Sequence, residues 1–244
     1  MRILIEIKTK EIPLNYNYII LSLIKNNLSR ENPLLFDSYY KSEEYDFRTK
    51  PFTYALKLEN YKIDKDNDKV DLQERCMLTI STDDYVLGSV IYNSFINSKD
   101  FTYKNEYKLT IGKVIMLKER KIVSNEAVFK TMSPIVVRNR KGEFLKIDDE
   151  NYEKELNYIT NEVLKACTGS GLKENLKFEP VMMKKRVIKE EIAKVSKNIN
   201  KNIFYITGYE GIFKLTGNLE DLNAIYKLGV GFRRSSGFGC LEIV

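Results

Sequence analysis

The sequence predicts an α+β protein of two tandem β-α-β-β-α-β units with antiparallel sheets, one over residues 1–120 and one over 121–244. Three observations lead there. The 244 residues, 43% hydrophobic and 30% charged, can bury one large core or two of ordinary size. In the first half, period-2 and period-3.6 patterning follow one another in the order strand, helix, strand, strand, helix, strand. The second half repeats that order, with little self-similarity in its residues.

In chain order, Arg2 to Lys8 alternates as a strand, and Pro13-Leu14-Asn15-Tyr16 leads into a helix from Tyr18 to Leu28. Ile20, Leu21, Leu23, Ile24 and Leu28 supply the buried face of that helix, and Asn32-Pro33 is expected to stop it. A polar, tyrosine-rich loop is expected from Phe36 to Thr49, followed by strand alternation from Lys50 to Leu58. Asp64, Asp66 and Asp68 match the opening of a calcium-binding EF-hand loop. Lys69 stands where that loop needs glycine, and Arg75 where it needs a bidentate glutamate, so Asp64 to Arg75 reads as a surface turn. A strand from Cys76 to Ile80 precedes a helix from Tyr85 to Ile96, capped from Ser81-Thr82-Asp83-Asp84, and Tyr107 to Leu117 closes the half as a strand.

The second half reads as a strand from Val128 to Arg138, a helix from Asp148 to Ala166, strands from Phe178 to Ile188 and Tyr209 to Thr216, a helix from Leu219 to Leu228 and a last strand from Phe238 to Val244. Asn218 is the expected N-cap of the last helix, and Gly229 lies just past its end. Each half therefore has the ferredoxin-like, RRM-like arrangement.

Composition removes several function classes. No apolar run reaches membrane-spanning length and the first residues alternate like a strand, so a cytoplasmic protein without a membrane partner is expected. Cys76, Cys167 and Cys240 lie far apart, which indicates neither a disulfide framework nor a zinc cluster, and no metal or cofactor is expected. The chain contains no histidine. That removes histidine-dependent triads, histidine-pair ribonuclease chemistry and nearly every catalytic zinc site, leaving Tyr, Lys, Asp and Glu for acid-base work.

Near the C-terminus, Gly229, Gly231, Gly237 and Gly239 bracket Arg233, Arg234, Ser235 and Ser236. Glycines that allow positive φ and close approach, with guanidiniums and hydroxyls between them, suit a phosphodiester backbone; the plainer alternative is a connector without ligand. Neither a Walker loop nor a dinucleotide fingerprint fits, because Phe238 follows Gly237 and no helix and strand remain downstream. The net charge of +6 has a local source: between Val181 and Lys201, seven cations, among them Lys184, Lys185, Arg186 and Lys189, face only Glu190 and Glu191. Such a stretch attracts polyanions by releasing their counterions, though charge runs are often only solvated faces.

The pattern Gly229-Val230-Gly231, five residues, Gly237-Phe238-Gly239 resembles the glycine-rich loop of the repeat-associated RNA-binding superfamily of CRISPR systems. With Ile12-Pro13-Leu14-Asn15-Tyr16, Lys50-Pro51-Phe52-Thr53-Tyr54 and Ser133-Pro134-Ile135, the chain is similar to the CRISPR-associated endoribonuclease family that processes repeat RNA. The resemblance implies two ferredoxin-like domains that bind precursor transcript and guide RNA, and cleavage without metal by the ribose 2′-hydroxyl to leave a 2′,3′-cyclic phosphate. Many members place a histidine between the first helix and second strand, with a lysine and a tyrosine nearby. Here Tyr39 or Tyr40 falls about where that histidine is expected, and Lys41, Arg48 and Lys50 are close enough in sequence to assist. A phenol of pKa about 10 is a weak base at neutral pH unless cations lower it, so positioning and charge stabilisation would supply most of the rate. Two alternatives stay open: an RNA-binding subunit of a CRISPR complex that does not cleave, and a general RNA-recognition module with Ser236 to Ile243 as its signature strand. Other subunits of such a complex, or a second copy of the chain, remain open as partners.

Overall fold

The computed structural model describes residues 1–41, 49–73, 75–191 and 203–244. The first half contains β1 (Arg2–Lys8), β2 (Glu11–Pro13), α1 (Asn17–Glu31), α2 (Pro33–Tyr40), β3 (Phe52–Leu58), β4 (Tyr61–Asp64), β5 (Lys69–Leu72), β6 (Arg75–Thr82), α3 (Tyr85–Ile96), β7 (Asp100–Tyr103) and β8 (Tyr107–Leu117). The second contains β9 (Glu126–Thr131), α4 (Tyr152–Thr168), β10 (Lys177–Glu191), β11 (Ile203–Thr216), α5 (Leu219–Leu228) and β12 (Leu241–Ile243), with a 3-10 turn at Arg234–Ser236.

The larger sheet has the order β3-β6-β1-β8-β7 and the second the order β10-β11-β9-β12. With β7 set aside, each places the unit's first strand between its third and fourth, and all pairings are antiparallel. Both halves are therefore ferredoxin-like. Alternation along β1 buries Ile3, Ile5 and Ile7 against Ile19, Ile20, Leu23 and Ile24 of α1 and Leu87, Ile91 and Phe95 of α3. A separate core gathers Phe129, Phe178, Phe213 and Leu215 of the second sheet with Tyr152 and Leu156 of α4 and Leu222 and Ile225 of α5.

Several elements differ from expectation. Pro33 ends α1 but begins α2, because a residue without N–H is tolerated in a helix's first turn; Asn32 between them accepts a hydrogen bond from Leu35 N at 2.9 Å. Tyr39 and Tyr40 accordingly sit on a helix, where a loop was expected. Asp64 to Arg75 holds more than a turn: β4 and β5 form a hairpin that joins β2 in a small third sheet. The Asp64 carboxylate accepts from the backbone N–H groups of Asp66 and Asn67, both at 3.1 Å, which makes it a turn former. The short β7 was not anticipated. The expected strand from Val128 to Arg138 ends at Thr131, before the bend at Ser133-Pro134, and the last strand shrinks to Leu241–Ile243 because Phe238 and Gly239 belong to the loop. Asp84 caps α3 through Leu87 N at 3.0 Å, as expected. Among the described residues, no helix is long and apolar enough to cross a membrane.

The two sheets meet along a polar seam centred on Arg2, which is 1% exposed. Its guanidinium donates to Leu241 O at 2.8 Å and Glu242 Oε2 at 3.1 Å, and lies 4.5 Å from the centroid of the Tyr226 ring. Arg2→Leu should destabilise the protein by roughly 1.5–3 kcal/mol, the size of a hydrogen bond made by a charged group. Glu242 keeps access to water, so no dry unpaired charge is left behind. Urea unfolding of the variant beside the wild type checks this.

Candidate active site

The glycine-rich loop runs from the end of α5 into the seam and is pinned from both halves. Phe232 N donates to Val136 O at 2.7 Å, Gly239 N to Pro134 O at 2.9 Å, and Thr53 Oγ1 on β3 to Phe238 O at 2.9 Å. All four glycines have positive φ. At Gly231, with φ of 85°, a Cβ would lie 2.6 Å from Val136 O; at Gly237, with φ of 88°, it would lie 2.8 Å from the Tyr54 ring and 2.9 Å from Asn17 Oδ1. The glycines are thus required by the protein's own packing.

The two arginines have separate fates. Arg234 was expected to offer donors to phosphate, but it is 4% exposed and donates to Leu228 O at 2.5 Å and Lys50 O at 3.5 Å. It braces the loop against the segment before β3. Arg233 takes the left-handed conformation at φ of 62°, and its Nη1 lies 2.7 Å from Glu190 Oε2 on β10.

Beside the loop opens a cleft of about 300 Å³ lined by Leu21, Lys25, Tyr39, Tyr40, Lys50, Ser235 and Ser236. It brings the expected tyrosines of α2 and Lys50 together with the expected serines of the loop. Lys25 and Lys50 face the Tyr40 ring, with ammonium nitrogens 4.4 and 5.0 Å from its centroid. Burial, with Tyr39 beside it, pushes the Tyr40 phenol well above its ordinary pKa, and among the described residues its buried hydroxyl has no hydrogen-bond partner. The expected deprotonating role therefore does not suit Tyr40: desolvation of the phenolate outweighs any help from the neighbouring lysines. A role as hydrogen-bond donor remains. Tyr39 Oη donates to Asp84 Oδ2 at 3.3 Å.

Lys25 was missed by sequence reasoning. Burial, and then the charge of Lys50, lower its pKa. The available signal was its spacing: Tyr18, Leu21 and Lys25 fall at i, i+3 and i+7, on one face of α1.

The remaining candidates lie elsewhere. Lys41 pairs with Asp37 at 2.9 Å and does not line the cleft, and Arg48 lies outside the described residues. Lys184 and Arg186 both pair with Glu210 across the sheet, at 3.2 and 2.7 Å, Lys185 is exposed, and Lys189 lies 3.3 Å from Asp68. Part of the basic stretch is thus offset within the fold, and its three lysines beyond residue 191 are outside the described residues. Phe238 is fully buried, so the segment expected as an RNA-recognition signature strand offers no aromatic platform there. Among the described residues, no group of His, Cys, Asp and Glu is placed to hold a metal ion.

Tandem ferredoxin-like units with this C-terminal loop form a fold shared with a solved structure described as an RAMP protein. A structure described as an RAMP protein binding different RNA substrates superposes with a TM-score of 0.80 at 24% identity, covering 100% of this chain and 99% of that one. The product of a Cas6-related gene from Pyrococcus furiosus superposes with a TM-score of 0.83 at 22% identity, covering 100% and 98%. The sequence model described as CRISPR associated protein Cas6, C-terminal, matches residues 117–243, just over half of the chain. The chain belongs to the Cas6 family. It is also 25% identical to CRISPR-associated endoribonuclease Cas6 1 of Methanocaldococcus jannaschii, over 98% of this chain and 91% of that protein.

Proposed function

We propose that this protein binds CRISPR repeat RNA across two domains, residues 1–120 and 121–244, and cuts within the repeat at the cleft between α1, α2 and the glycine-rich loop. The observation that carries the reading is the convergence of two lysines, a protonated tyrosine and two loop serines on that cleft in a Cas6-family chain. The attacking nucleophile belongs to the RNA. The 2′-oxygen bonds to phosphorus as the bond to the 5′-oxygen breaks, giving a 2′,3′-cyclic phosphate and a 5′-hydroxyl. The 2′ proton passes to water. Lys25, whose ammonium gives up its proton more readily than an ordinary lysine, protonates the departing 5′-oxygen and is recharged by solvent. Lys50 stabilises the charge gathering on the phosphorane, and Tyr40, Ser235 and Ser236 supply hydrogen bonds to its oxygens. The missing histidine and the raised Tyr40 pKa favour a second reading, an RNA-binding subunit that does not cleave.

Single-turnover cleavage of a repeat RNA in excess chelator separates the two. The expected result is cleavage without added metal, abolished by a 2′-deoxy sugar at the cut site. Dependence on magnesium, or cleavage of the deoxy substrate, overturns the mechanism. Tight binding of the repeat without cleavage establishes the second reading.

A further inference from the structure

Glu190 is an acid in an unfavourable place. It is 1% exposed, next to a loop read here as binding a polyanion, where a negative charge works against affinity. Its Oε2 accepts from Arg233 Nη1 at 2.7 Å and from Tyr18 Oη at 2.9 Å. The Phe204 and Phe238 rings flank the same guanidinium, at 5.6 and 5.9 Å. One carboxylate oxygen therefore ties together three segments that are distant in sequence: β10, α1 and the glycine-rich loop.

Both partners of Glu190 lead directly to the cleft. Arg233 precedes the 3-10 turn, and its carbonyl accepts from Ser236 N at 2.8 Å, so its left-handed backbone sets where Ser235 and Ser236 lie. A non-glycine residue holds that conformation only when its surroundings impose it. Tyr18 stands on the α1 face that supplies Leu21 and Lys25 to the same cleft. We propose that Glu190 is a positioning residue for cleavage: by holding Arg233 and Tyr18 on one oxygen, it fixes the Ser235–Ser236 turn opposite Lys25. The proposal rests on the reading of the cleft as the place of cleavage.

The test compares the wild type with Glu190→Gln, which keeps the size and an acceptor for Tyr18 but removes the charge from Arg233. Three quantities are measured: repeat-RNA affinity, single-turnover cleavage rate, and amide hydrogen exchange at Ser236 and Gly237 in the RNA-free protein. The expected result is affinity unchanged or tighter, a rate lower by on the order of 10- to 100-fold, as for a misplacement of about 1 Å, and faster exchange confined to the turn. Tyr18→Phe, which leaves the Arg233 pair in place, should slow cleavage less, and should add little in the Glu190→Gln background because the two share one network. Weaker binding in proportion to the lost rate, or a wild-type rate in Glu190→Gln, overturns the proposal. If the wild type binds but does not cut, the cleavage reading has failed on its own. Exchange then decides separately: faster exchange supports Glu190 as the residue that orders the turn, and unchanged exchange overturns it.

Discussion

Replacing Lys50 or Lys25 with alanine should lower single-turnover cleavage of repeat RNA by on the order of 100-fold or more, while RNA affinity should fall far less. The asymmetry follows from when each interaction strengthens. In the proposed mechanism Lys50 meets little extra charge in the bound substrate and much more in the phosphorane, and Lys25 acts only as the 5′-oxygen departs. The pH profile assigns their roles. Burial and the nearby Lys50 charge hold the Lys25 ammonium below the ordinary lysine pKa, so its proton-donating form is lost as pH rises through that lowered value. Cleavage should therefore rise with pH as the 2′-hydroxyl ionises more readily, then stop rising earlier than an ordinary lysine would allow. Lys25→Arg, which stays charged, should move that break upward and lower the plateau, because a guanidinium is a poor proton donor. Equal losses of rate and affinity in Lys50→Ala, or an unmoved break in Lys25→Arg, would contradict this assignment.

Gly231→Val should collapse the glycine-rich loop and abolish RNA binding together with cleavage. Two costs add: a valine at φ of 85° is strained by roughly 1–3 kcal/mol, and its side chain overpacks the contact with the Val136 carbonyl by about another 1–3 kcal/mol. The loop also carries Val230, which packs in the second core. The melting temperature should fall with RNA affinity, and Gly231→Ala should show a smaller loss because it adds less bulk. A variant that melts like the wild type but does not bind would mean that Gly231 is open to the RNA and that its neighbours within the fold yield easily.

What was legible in the sequence was what local periodicity and chain punctuation carry. The alternation of β1, the extents of α3 and α5, the Asp84 and Asn218 caps and the repeated order of elements all report on neighbours a few residues apart, and the structure bears them out. Pro33 shows the limit of that punctuation, since one residue both ends a helix and begins the next, and the sequence marks only the break. The four glycines were legible as positions of positive φ. Their packing against Val136, Tyr54 and Asn17 was not, because those contacts cross between segments that no local pattern connects.

The candidate site divides in the same way. By itself, the sequence determined the two ferredoxin-like units, the glycine-rich loop, the absence of histidine and the proximity of Tyr39, Tyr40 and Lys50 along the chain. The tertiary structure decided which cations face the cleft. Arg234 and Lys25 are both basic residues on paper, yet docking of the loop against β3 buries the first on backbone carbonyls, while packing of α1 against α2 and the 3-10 turn places the second at the cleft with Lys50. A charge's environment is set by everything packed around it, and part of what surrounds these two, the Lys50 carbonyl at Arg234 and Ser235 and Ser236 at the cleft of Lys25, lies more than a hundred residues away in sequence.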